Sequence, residues 1–129
     1  KLDNSLIIKV FDTPHTPEVM NELENIICDI LINFDKIDGV FAVNEFYAIA
    51  ALRALKKLKI KVPDQVKIIC FTDGLISKYS SPSLTTVSQN GEEIGRVAAN
   101  KLINRLEENN SSKFREYIVK SRIINREST

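Results

Sequence analysis

Residues 38–74 read DGVFAVNEFYAIAALRALKKLKIKVPDQVKIICFTDG, and residues 81–89 follow with SPSLTTVSQ. A short apolar run, Val40 to Val43, ends in Asn44. An amphipathic stretch from about Glu45 to Leu58 follows, then a turn at Lys61-Val62-Pro63-Asp64. A second apolar run, Val66 to Phe71, ends in Thr72-Asp73. Strand, helix and strand in this order predict two parallel strands that deliver polar side chains to one edge of a sheet. Open α/β sheets bind small ligands at that edge.

The helix between the runs is mostly apolar around its circumference. At about 100° per residue, Glu45, Arg53, Lys56 and Lys57 share an arc of about 120°, and Ala, Ile, Leu, Phe and Tyr fill the rest. Such a helix buries most of its surface, and Ala48, Ala50, Ala51 and Ala54 permit close approach. Lys56, Lys57, Lys59 and Lys61 form a basic run that is expected to be a solvated helix end, favoured there by the helix dipole. Strand Val66 to Phe71 is almost wholly apolar, as a parallel strand covered on both faces must be.

Outward from this segment the pattern repeats. Leu6 to Val10 reads as a strand ending at Phe11 and Asp12. Thr16-Pro17-Glu18 is a helix start: a hydroxyl cap, proline at the first helical position, and an acid near the positive end of the dipole. Val19, Leu23, Ile26, Ile27, Ile30 and Phe34 then recur at helical spacing. Residues 72–83 read as a serine-rich loop, and Thr85 to Ser88 as a short β segment. A helix is expected from Glu92 to about Glu108 with Ile94, Ala98, Leu102 and Leu106 on one face. Within it, Gly95 would permit close helix packing. Tyr117 to Asn125 reads as a last strand with a basic, polar tail. The expected fold class is α/β: a three-layer, open, mainly parallel sheet with helices on both faces.

Composition narrows the function. The chain has 129 residues, 43% hydrophobic and 27% charged, with formal net charge +1. That balance fits one globular domain and is too even for affinity built on many phosphate contacts. Nucleic acid, if bound, is touched by another part of the protein. Cys28 and Cys70 lie in apolar runs and are expected to be buried, reduced thiols. No CxxC or Cys/His cluster points to zinc, and no run approaches membrane-spanning length. The chain starts at Lys1 and enters its first element almost at once, so it is expected to be a piece of a longer protein.

Asp12, Asn44, Thr72 and Asp73 all follow strand ends. Brought together, their carboxylate, amide and hydroxyl groups suit a hydroxyl-rich or heterocyclic ligand through paired hydrogen bonds. Phe11, Phe46 and Tyr47 are near enough in sequence to supply a stacking face. For Asn44 and Asp12, capping of the following helix is the competing role. Catalysis fits less well. Asp12 and Asp73 could hold a metal for phosphoryl transfer, but no charge-clamping Lys or Arg stands at a strand end. His15 has no nucleophile pattern beside it. No cofactor motif occurs.

The strings FAVNEFYAIAALRALKKLKIKVPDQVKIICFTD and SPSLTTVSQNGEEIGRVAANKLINRL resemble the C-terminal part of the effector-binding core of the lactose-repressor (LacI/GalR) family of transcriptional regulators. The resemblance implies a periplasmic-binding-protein-like core of two subdomains with a small effector, often a sugar or a purine, in the cleft between them. It further implies operator DNA bound through a separate headpiece absent from this chain, homodimerisation, a cytoplasmic location and no enzymatic activity.

By the resemblance, Asn44 falls on the family's ligand-binding Asn, Gln89 on the Gln at the crossing strand, and Thr72 and Asp73 on the two acids of a Phe-Asp-Asp motif. Thr72 in place of the first acid weakens that contact. Asn90-Gly91 removes an aromatic surface that some relatives carry. Residues 1–90 and 120–129 would form the C-terminal subdomain. Residues 91–119 would pack on the other subdomain; without it, the helix there is expected to fold back or to swap into a neighbouring chain. Residues 72–83, with Tyr79, would lie at the dimer interface. The alternative reading is a periplasmic sugar-binding protein of similar fold.

Overall fold

The computed structural model describes residues 16–34, 37–107 and 116–129. Strand Leu6 to Val10, Phe11, Asp12 and His15 lie outside them. In chain order the elements are α1 (Pro17–Asn33), β1 (Gly39–Ala42), α2 (Glu45–Lys57), β2 (Lys67–Cys70), α3 (Leu75–Tyr79), β3 (Thr85–Ser88), α4 (Gly91–Glu107) and β4 (Arg122–Ile124). The four strands form one sheet in the order β1-β2-β3-β4. The first three are parallel, with Ala42 beside Cys70 and Cys70 beside Thr86. β4 returns antiparallel, with Thr86 beside Ile124. The expected α/β class and parallel pairing are present.

Both long N-terminal helices begin as their sequences dictate. Thr16 caps α1, its hydroxyl accepting the Val19 amide at 3.4 Å, with Pro17 at the first position. Asn44 caps α2, its Oδ1 accepting the Tyr47 amide at 3.1 Å. The core joins one face of the sheet to α2: Ala42, Ile68 and Cys70 meet Ala48, Ala51 and Leu55, with Val66 and Leu84 closing its ends. Small alanines bring α2 close to the strands. Ile27 and Leu31 of α1 pack against the same cluster.

Cys28 and Cys70 are free and buried, as expected. The basic run is solvated: Lys56, Lys57, Lys59 and Lys61 are exposed. Lys57 reaches back to Glu24 and Asn25 of α1, beside the Arg53–Glu24 pair. On the opposite face of the sheet, Phe41 is 61% and Ile123 63% exposed, so helix packing among the described residues covers one face.

Four local expectations change. Residues 72–83 are not all loop, because Leu75–Tyr79 turns into α3. The last strand is shorter than Tyr117 to Asn125. Gly95 serves no close packing, since a Cβ there would meet nothing within 4 Å. Finally, α4 does not fold back on this half: none of its residues is buried, and Leu102 is 60% exposed. Its apolar side chains and Tyr117–Val119 instead line an open hollow of about 560 Å³, where the Lys101 ammonium sits 4.4 Å from the Tyr117 ring centre.

Candidate functional site

Three parallel strands end at one edge, and the polar residues follow in order: Asn44 after β1, Thr72 and Asp73 after β2, Gln89 after β3. The Phe71 amide donates to the Ala42 carbonyl at 2.8 Å, which aligns the first two strand ends. With strands about 4.8 Å apart, the rim from β1 to β3 is roughly 10 Å wide. The structure therefore gathers Asn44, Thr72, Asp73 and Gln89 on one edge. Asp12 lies outside the described residues.

Asn44 meets two demands at once. Its Oδ1 caps α2, while among the described residues its Nδ2 has no hydrogen-bond partner. Capping and ligand donation are thus compatible. Thr72 is half-buried and Gln89 exposed. Phe46 and Tyr47 meet edge to face, with ring centres 6.0 Å apart and planes at 81°.

Asp73 is engaged within the protein. Its Oδ1 accepts the Thr86 hydroxyl at 3.1 Å and the Arg126 guanidinium. Arg126 also donates to the Leu84 carbonyl at 2.6 Å and to the Thr86 hydroxyl at 3.2 Å. Both partners are largely buried, with side chains 14% and 13% exposed. Burial opposes the ionisation of Asp73, but the bonds from Arg126 and Thr86 and the charges of Arg126 and Lys78 outweigh it and hold the carboxyl below its usual range. Arg126, read from sequence only as part of a basic tail, is thus the strand-end cation that sequence reasoning missed. It comes from β4's far side, 53 residues from Asp73.

The turn carrying Thr72 and Asp73 is held from the other side by Glu45. Its Oε1 accepts the Gly74 amide at 2.9 Å and the Ser77 amide at 2.8 Å. Ser77, fully buried, donates its hydroxyl to the Thr72 carbonyl at 3.3 Å. Cys70 lies beneath. Burial, then the nearby Glu45 charge, pushes its thiol up to about 11 despite a hydrogen bond with Ser77. Among the described residues no cluster of His, Cys, Asp and Glu could hold a metal ion, and no helix is long and apolar enough to cross a membrane. Among the described residues, the rim offers hydrogen-bonding side chains: Asn44, Thr72, Asp73 and Gln89.

Open parallel sheets commonly bind small ligands at an edge where polar groups follow the strand ends. The chain belongs to the periplasmic binding protein-like domain family, whose model matches residues 8–129, in the lactose-repressor (LacI/GalR) branch of regulators. It is 44% identical over 69 residues to the HTH-type transcriptional regulator GalR of Streptococcus thermophilus, spanning 54% of this chain and 21% of that protein. Among solved structures it is similar to a LacI family regulator from Arthrobacter sp. FB24 in complex with lactose: TM-score 0.77, 26% identity, 85% of this chain and 42% of that one. A LacI family regulator from Enterococcus faecium with bound ribose gives TM-score 0.74 and 26% identity over 85% of this chain and 40% of that one. The chain spans a fifth to a third of the length of the first curated relatives it matches.

Proposed function

We propose that the chain is the C-terminal part of the effector-binding core of a cytoplasmic transcriptional regulator, and that its rim holds a sugar or related polyhydroxylated metabolite without chemical change. The observation that carries this reading is the convergence of Asn44, Thr72 and Gln89 on one sheet edge. Their amide and hydroxyl groups offer both donors and acceptors, which matches the alternating demands of vicinal hydroxyls. Relatives bound to lactose and ribose support the same ligand class.

In this reading Asn44 donates through Nδ2, Thr72 and Gln89 add contacts, and Asp12 is a further expected contact. Asp73 completes the rim; its Oδ1 is held by Arg126, so its part is to fix the turn and to present the opposite carboxylate oxygen. In the same reading, about residues 1–90 and 120–129 belong to one subdomain, and about 91–119 would pack on a second. A sugar that binds better to the closed cleft than to the open one shifts the population toward closure. Closure then moves an operator-binding headpiece through a homodimer. The dimer surface includes α3, where Tyr79 is 82% exposed.

The test is thermal shift of the full-length protein with lactose, ribose and purine bases, repeated with Asn44→Ser. Serine caps a helix about as well as asparagine, so stability is expected to change by less than about 0.5 kcal/mol. The amide donor is gone, so the ligand shift is expected to vanish. A shift that survives Asn44→Ser removes the effector reading.

A further inference from the structure

Glu45 was grouped by sequence with the solvated arc of α2, yet it does not point to solvent as Arg53 and Lys56 do. Its carboxylate crosses from the start of α2 to the turn after β2, and one oxygen takes both the Gly74 and the Ser77 amides. These amides begin a five-residue helix that has no side-chain cap of its own, since Gly74 stands at its cap position. A carboxylate accepting two backbone amides makes charge-assisted bonds, stronger than neutral ones.

The fit is close on both sides. A Cβ at residue 74 would lie 2.8 Å from the Glu45 Cδ, so only glycine leaves the carboxylate where it is. Ser77 relays the hold: its amide is on Glu45, its hydroxyl on the Thr72 carbonyl, and its own carbonyl accepts the Leu84 amide at 2.8 Å. Glu45 directly follows Asn44 in the chain. One side chain therefore locks the first rim residue to the second.

We propose that Glu45 is a positioning residue of the rim. It touches no ligand and fixes the spacing between Asn44 and the Thr72-Asp73 turn, so that one ligand can be grasped by both. The proposal rests on the effector reading given above. It implies that Gly74 and Glu45 act as one unit: enlarging the first and truncating the second break the same contact.

The test uses the full-length protein in seven forms: wild type, Glu45→Ala, Glu45→Gln, Gly74→Ala, the double variant Glu45→Ala/Gly74→Ala, Asn44→Ser and Leu23→Ala. Leu23, buried in α1, supplies a loss of stability unconnected with the turn. Hydrogen exchange is followed at the Gly74 and Ser77 amides, and affinity for lactose and ribose is measured by calorimetry. Glu45→Ala and Gly74→Ala are each expected to speed exchange at both amides at least 10-fold and to weaken sugar binding about 10-fold. Glu45→Gln, which keeps the acceptor oxygen, should restore affinity to within about 3-fold. Leu23→Ala should leave affinity within about 2-fold. The double variant Glu45→Ala/Gly74→Ala should bind no more than about 2-fold worse than either single variant, as residues sharing one contact do.

Wild-type exchange at both amides in Glu45→Ala overturns the proposal. So does faster exchange with unchanged affinity, or an affinity loss that Leu23→Ala reproduces. If wild type binds neither sugar, or Asn44→Ser binds as wild type does, the effector reading falls instead. Exchange at Gly74 and Ser77 then decides alone whether Glu45 holds the turn.

Discussion

Replacing Arg126 by Met should be among the most damaging single changes in this chain. The guanidinium bonds the Asp73 carboxylate, the Leu84 carbonyl and the Thr86 hydroxyl from a site where its side chain is 14% exposed. Met keeps much of the apolar stem. It leaves Asp73, 13% exposed, with the Thr86 hydroxyl and, of its two favourable charges, only that of Lys78. Breaking a buried pair on one side costs about 3–5 kcal/mol.

For 129 residues the unfolding entropy is about 0.27 kcal/mol/K, at about 2.1 cal/mol/K per residue, so Tm should fall by about 11–18 °C. The loss has a pH signature. The folded-state pKa of Asp73 is depressed, so the pair's contribution is present above the ordinary carboxylate value of about 3.9 and is lost as pH falls through the lower folded value. The gap between wild type and Arg126→Met should therefore be widest at neutral pH and narrow as pH falls below the ordinary carboxylate value of about 3.9. Asp73→Asn should remove most of the gap, since it removes the orphaned charge. Calorimetric melts of the four proteins of this cycle at pH 7 and pH 3 are the assay. A Tm loss under about 4 °C, or a gap equal at both pH values, would refute the claim that the pair carries this stability.

Two further outcomes follow from buried groups. Ser128→Ala leaves the Ile68 carbonyl and the Thr85 amide without their bonds of 2.6 and 2.8 Å in a fully buried place; a loss of about 2–4 kcal/mol in urea titration is expected, and under about 1 kcal/mol would contradict it. Cys70, wholly buried and with its thiol raised to about 11, should be about one part in a thousand thiolate at pH 8 and should resist iodoacetamide in the folded protein. Labelling at the rate of a free thiol, read by mass spectrometry, would show that the site opens.

The parts of this molecule that were legible in sequence are those where neighbours along the chain are also neighbours in space. Asn44 before an alanine-rich helix could be seen as a cap and a rim residue, because both roles depend on its place after β1. Apolar runs ending in polar residues marked β1 and β2 to within one residue, and Thr16-Pro17 marked the start of α1. The contacts that escaped are long-range. Arg126 sits in a polar tail whose local pattern says only that it is solvated, and its partner is 53 positions away. Glu45 has the helical phase of an exposed arc, yet it is drawn toward amides 29 and 32 residues on. α3 is too short for a periodic signal, and it draws its cap from another helix. The stripe on α4 was visible as a stripe, but nothing in its spacing says what it faces.

The seam between β2 and β3 sets an order on the birth of this fold. The Ser128 hydroxyl bridges the two strands at Ile68 and Thr85, its carbonyl takes the Ile68 amide, and its amide donates to the Ser83 carbonyl. A growing chain presents Ile68 some 60 residues before the serine that completes it exists. At about 5–20 residues per second, translation leaves that edge incomplete for several seconds. During that interval the bonds from Ser128 to Ile68 and Thr85 cannot form, and the β2–β3 seam lacks its bridge.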